Sequence, residues 1–177
     1  MEEAVRLDPL SLVINHFLGN VYIFAERYDD ALGQADKLLE MEPQMRSNIE
    51  LKGWAIGMKG DWQGALTLFE EVHRLSGHPL KGLMPLGCAF GRTGQKEKAL
   101  ECIRKLEQRQ AEEPDSVVDA DLAAIWYGID DLDKTFYHID QCIKKRTGPV
   151  TFILEYPVFK ELRKDPRYED VRRKSGL

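Results

Sequence analysis

Cysteine is scarce in this chain: Cys88, Cys102 and Cys142 are the only three in 177 residues. None of the close pairings that zinc or redox motifs require is present. An odd count does not make a disulfide framework, and thiols at helical positions where small apolar side chains pack read as core. Long hydrophobic runs are missing too. The most apolar stretch, Ser11 to Ala25, is too short for a bilayer and is interrupted by Asn15, His16 and Asn20. The start, Met1-Glu2-Glu3-Ala4-Val5-Arg6, is acidic where a secretory leader would be basic and then apolar. These absences point to a cytoplasmic protein without a membrane span.

Catalytic patterns are lacking as well. There is no phosphate-binding glycine loop, no His-Glu-x-x-His pair and no serine elbow. His16, His73, His78 and His138 have no ligand-like spacing. Asp130-Asp131-Leu132-Asp133 is acidic enough to suggest a calcium loop, but the glycine and terminal glutamate of such a loop are absent. Aspartate there reads instead as a helix N-cap. The expectation is a protein that is not an enzyme, with no metal and no cofactor.

What is present is an ordinary globular composition, 43% hydrophobic and 31% charged, which suits one domain and excludes a disordered or fibrous chain. The net charge of −5 is unevenly spread. From Lys144 onward ten Lys and Arg stand against five Asp and Glu, which leaves fifteen against twenty-five in the body. A basic tail of this kind reads as a helix lying on an acidic body in preference to a nucleic-acid site.

The strongest positive signal is periodic. Gly19, Gly53 and Gly87 are 34 residues apart, Ala31, Ala65 and Ala99 keep the same step, and Pro9 precedes Pro43 by it. That period belongs to helix–turn–helix repeats. Within it, Tyr28, Ala31, Leu32, Ala35, Leu38 and Leu39 form one apolar helical stripe. The pattern predicts helices over about 11–25 and 28–41, 46–59 and 62–75, and a third pair with Leu86, Gly87 and Phe90 on its first helix and Ala99, Leu100, Ile103 and Leu106 on its second. The small residues are expected where the two helices of a pair approach most closely. Pro85 fits if it lies in the first turn of its helix. A fourth, degenerate pair over 116–128 and 132–145 is two residues out of register, with Ala123 at the small position and Thr135 replacing alanine.

Residues 10–145 therefore resemble tetratricopeptide repeats, on Leu18, Gly19, Tyr22, Ala31 and Pro43, then Gly53, Ala65 and Phe69, then Leu86, Gly87, Phe90 and Ala99. The resemblance implies an all-α, right-handed α-solenoid of antiparallel helix pairs. Residues 1–9 would be the end of a preceding repeat helix and 146–177 a capping segment. The departures are Asn15, Ile49 and Leu83 at the first aromatic position, and a closing proline in phase only once. The terminal segment, Tyr156-Pro157-Val158-Phe159-Lys160-Glu161-Leu162-Arg163 with Asp165-Pro166-Arg167-Tyr168 and a basic end, is similar to that of tetratricopeptide regions attached to bacterial winged-helix regulators, adenylate cyclases and Ser/Thr kinases. This implies the C-terminal part of a larger signalling protein.

In such a family the function lies in the groove lined by the first helix of each pair. Its positions here include Asn20, Phe24, Trp54, Met58, Lys81, Met84 and Arg92. A carboxylate clamp would require five polar residues; Asn20 and Lys81 match it, but His16, Leu51 and Pro85 do not. The resemblance implies instead an apolar groove for a protein or peptide segment, with Trp54 and Met58 as anchors and Lys81 and Arg92 at a polar end. A small-molecule sensory domain acting on an attached regulator or cyclase is the alternative. Self-association through the groove or an open end is a further expectation.

Overall fold

The helices begin and end where local chemistry places them. In the computed structural model, which describes residues 1–146 and 154–176, a short α1 (Glu2–Leu7) stops at Asp8-Pro9, and Ser11 then caps α2 (Leu12–Phe24) by accepting from the Ile14 amide. There follow α3 (Tyr28–Met41), α4 (Arg46–Met58) and α5 (Trp62–Ser76), the last capped by Asp61 through the Gly64 amide. Next come α6 (Leu83–Arg92), α7 (Lys96–Glu112), α8 (Asp119–Gly128) and α9 (Leu132–Lys145), with Asp131 capping α9 through the Lys134 amide. A 3-10 helix (Pro157–Lys164) and α10 (Arg167–Lys174) complete the described residues, among which there is no strand. Residues 147–153 of the expected capping segment, and Leu177, lie outside the described residues.

The chain forms two compact units, Met1–Lys81 and Gly82–Leu177. In the first, α2 pairs with α3 and α4 with α5, while α3 packs on α4. In the second, α6 pairs with α7 and α8 with α9, and α6 also packs on α8. The α8–α9 pair starts at Asp119 instead of near 116, because Glu113, Asp115 and Ser116 form turns ahead of it. Pro85 is the third residue of α6, where its missing N–H would have had no helical partner.

Small residues are placed for close approach, but not all in the way the period suggests. Ala31, Ala65 and Ala99 have no exposed surface. Gly53 receives Phe69 of its own pair, 2.5 Å from where a Cβ would sit. Gly19 and Gly87, in contrast, receive Leu51 and Ile125 from the first helix of the following pair. At those two positions the notch serves packing between pairs, which a sequence period cannot distinguish from packing within one. Gly91 goes further: a Cβ there would lie 2.5 Å from the Gly128 carbonyl carbon, so α6 and α8 cross backbone to backbone.

Each turn within a helix pair also carries one residue with left-handed backbone. Gly60 (φ 102°) and Gly94 (φ 76°) supply it without strain, whereas Glu26 (φ 55°) and Asp130 (φ 61°) occupy the same place with a side chain.

The basic tail is tied into the second unit. Arg167 pairs with Asp133 at 2.7 Å and lies over the Phe136 ring, Lys174 approaches Asp140 at 3.8 Å, and Phe159 packs against Tyr127.

Candidate functional site

The first helices carry the groove positions, and each unit holds its own share. In the first unit, Asn20 on α2 donates to the His16 carbonyl oxygen at 3.0 Å and lies 3.1 Å from His16 Nε2. His16 Nδ1 is 3.2 Å from Asn48 Oδ1. With Nδ1 donating to Asn48 Oδ1 and Nε2 accepting from Asn20 Nδ2, the imidazole bridges α2 to α4, while the buried Asn48 Nδ2 finds no partner. Asn20 is thus committed to structure on at least one side. Phe24 is 43% exposed at the end of α2. Trp54 is only 6% exposed, with its ring against Trp62 and Phe69 and its indole N–H directed at Glu50 Oε1, 3.4 Å away. Burial pushes the Glu50 carboxyl above its usual range, against the opposing effects of the Trp54 hydrogen bond and Arg46. An anchor must offer area to a partner, and Trp54 gives most of its area to the core. Met58 remains half-buried and Lys81 exposed, with the Lys81 carbonyl accepting from His73 Nδ1 at 2.7 Å.

In the second unit Met84 is half-buried on α6. Arg92 lies over the Tyr127 ring at 4.5 Å and is 3.6 Å from Asp130. Its guanidinium holds α6 to α8 and to the turn after it.

A second feature, which spacing did not reveal, is a cavity of about 360 Å³ between α7, α8 and α9. Its centre is Asp119, whose side chain is 3% exposed. Oδ1 is 3.0 Å from His138 Nδ1, and Oδ2 accepts from Lys145 Nζ at 2.6 Å and Gln110 Nε2 at 3.2 Å. Burial alone would raise this carboxyl; the hydrogen bonds from Lys145, His138 and Gln110 outweigh it and hold the group below its ordinary range. Lys134 lies 3.6 Å from the centroid of Trp126, and Tyr137 and Glu107 complete the wall. The one available signal in sequence was indirect. From Leu122 to Gly128 helix α8 is apolar all round and buried, so an aspartate opening it must find partners on neighbouring helices.

Nucleophilic chemistry finds no support at these positions. Cys142 follows His138 by one helical turn, but burial, with Asp119 nearby, pushes its thiol up to about 12. Cys88 and Cys102 are likewise raised by burial, each to about 11. All three are buried free thiols. Among the described residues no cluster of His, Cys, Asp or Glu could hold a metal ion. No helix among them is long and apolar enough to cross a membrane.

No family model matches the chain. It is 37% identical over 67 residues to a TPR repeat-containing protein of Methanocaldococcus jannaschii, a match spanning 38% of this chain and 20% of that relative. Among solved structures it is similar to the MamA RS-1 ArsTM double mutant, with a TM-score of 0.50 and 19% identity over 93% of this chain and 92% of the other. The fold is accordingly that of tetratricopeptide-type helix pairs.

Proposed function

For a chain of tetratricopeptide-type helix pairs, we propose a non-catalytic protein-interaction scaffold that receives a protein segment on the first helices of its pairs. The observation that carries this reading is the apolar, uncharged surface of α2. Val13, Phe17, Val21 and Phe24 stand exposed on a helix whose other side packs on α3 and α4. Exposed apolar surface of this kind is the usual mark of a binding face. Phe24, Met58 and Lys81, with Asn20 at their side, form the proposed contact set of the first unit; Met84 and Arg92 form that of the second. Trp54, enclosed by Trp62 and Phe69, stays outside that set. The chain spans one fifth of the curated relative it matches, and its place at the C-terminal end of a larger cytoplasmic signalling protein belongs to the same proposal. Selection of the 177-residue chain against a random displayed-peptide library tests it. The expected outcome is one enriched consensus that binds in the micromolar range and is weakened about tenfold by Phe24→Ala. A library without enrichment above an unrelated helical protein would remove the reading.

The cavity at Asp119 favours a second reading, a small polar ligand held in the second unit. Its volume falls within the ~300–1,000 Å³ range of small-molecule sites. A thermal-shift screen of metabolites separates the two readings, since a ligand there would raise the melting temperature and lose its effect in Lys134→Ala.

A further inference from the structure

Trp126 and Lys134 both line the cavity between α7, α8 and α9, and both have N–H groups without an acceptor. Trp126 is 5% exposed, and its buried indole N–H has no hydrogen-bond partner among the described residues. A buried donor is nearly always paired in a folded protein, and an indole nitrogen can only donate. The Lys134 ammonium stands 3.6 Å from the centroid of the same side chain's ring system, with no carboxylate at ion-pair distance among the described residues. A cation and an unserved N–H donor are thus neighbours in one wall.

The carboxylates of the cavity do not meet this need. Asp119 is answered by Lys145 at 2.6 Å, with His138 and Gln110 as further donors, so its charge is neutralised where it stands. Glu107, on α7, is exposed, where water serves it. A cation or a neutral donor placed beside Lys134 would leave the indole unserved. An oxyanion serves both groups, one oxygen on the ammonium and another on the indole N–H, and hydrogen bonds to an ionised acceptor are the strong ones. Lys134 rests on the ring through a cation–π contact alone, so turning it towards an anion breaks no ion pair. The rings of Trp126 and Tyr137 in the same wall suit an anion carried on an organic body over a bare inorganic ion, and about 360 Å³ admits such a molecule.

We propose that the cavity binds a small organic oxyanion, a carboxylate or a phosphate monoester, through Lys134 and the indole N–H of Trp126. This rests on the second reading above and narrows it to one ligand charge. The site lies wholly within the second unit.

The three tryptophans of the chain give three indole N–H resonances in the isotope-labelled protein, and Trp126→Phe identifies the one that reports the site. Four probes of similar shape, benzoate, phenyl phosphate, benzamide and benzamidine, are titrated into the full chain up to about 10 mM. The expected result is a saturable downfield shift of the Trp126 indole proton with benzoate, phenyl phosphate or both, and none with benzamide or benzamidine. Which of the two acids binds names the source of the anion. Lys134→Gln, at an exposed side chain that the fold does not bury, is expected to weaken binding at least tenfold. Lys96→Gln, at an exposed lysine of α7 outside the cavity, is expected to leave it unchanged. Equal binding of benzamide or benzamidine, or an anion shift that persists in Lys134→Gln, would overturn the proposal while leaving the cavity a ligand site. No shift with any probe would overturn it too, and the thermal-shift screen then decides separately whether the cavity takes a ligand of another kind.

Discussion

The two units use the same helix pair and bury polarity in opposite ways. In the first, a fully buried polar residue is Asn15, a neutral amide at a position where the repeat family has an aromatic. Its Nδ2 donates to the Pro9 and Ser11 carbonyl oxygens, and its Oδ1 accepts from Gln34 and Lys37. In the second, the buried carboxylate is Asp119, ionised, with three donors from two other helices. A neutral amide fastens a turn to a helix pair with no dependence on pH. A buried carboxylate joins three helices more strongly and makes their packing conditional on its charge.

Substitutions at these two residues should give the largest difference. Asp119→Ala leaves Lys145, His138 and Gln110 without their acceptor and should cost about 3 kcal/mol, somewhat below a fully buried pair because Lys145 is partly exposed. Asn15→Ala should cost about 1–2 kcal/mol, since Lys37 and Gln34 can turn to water. Urea denaturation of each variant measures both. The pH dependence sharpens the contrast. The folded-state pKa of Asp119 lies below its unfolded value, so its contribution is present above about pH 4, the unfolded value, and is lost as pH falls through the lower folded value. Asp119→Asn should flatten that part of the acid-side loss of stability, and Asn15→Ala should leave it unchanged. Asp165 is held at about 2 by Arg167, and because that arginine side chain is itself well exposed the share of the pair is small.

Backbone approach is the next contrast. Gly91 faces the Gly128 backbone, which has no rotamer to yield, whereas Gly19 faces the end of the Leu51 side chain. Gly91→Ala should cost about 2–3 kcal/mol and Gly19→Ala about 1 kcal/mol. Equal losses for the two would show that α6 and α8 separate as readily as a leucine rotates.

The smallest effect treats the units alike. Glu26→Gly in the first and Asp130→Gly in the second place glycine where Gly60 and Gly94 already serve. Each should raise stability by about 0.5–1 kcal/mol, the relief of left-handed backbone less the added chain entropy of glycine. The readout is the midpoint of thermal unfolding. A loss at Asp130 alone would mean that its 3.6 Å contact with Arg92 outweighs the backbone strain.

Much of the fold could be read in the chain, because a repeat states its plan several times. Helix α3 spans Tyr28–Met41 where its apolar periodicity places it, and α9 Leu132–Lys145 where periodicity and the Asp131 cap together do. The candidate site was less legible. Register assigns Trp54 to a groove, but whether an aromatic faces outward depends on what crosses above it, and Trp62 and Phe69 enclose this one. Asp119, His138 and Lys145 are too far apart in sequence to suggest a cluster. They meet because α9 returns alongside α8 with α7 beside them.

The sequence by itself determined the helix pairs, their small residues, their turns and the free state of three scattered cysteines, because each of these follows from local pattern and steric size. Tertiary structure alone decided that Gly19 and Gly87 admit the next pair instead of their own. It also decided that Asp119 lies among three donors and that the uncharged face of α2 stays open while its equivalents are covered. Those outcomes depend on which helix crosses which, and a one-dimensional period carries no record of crossings.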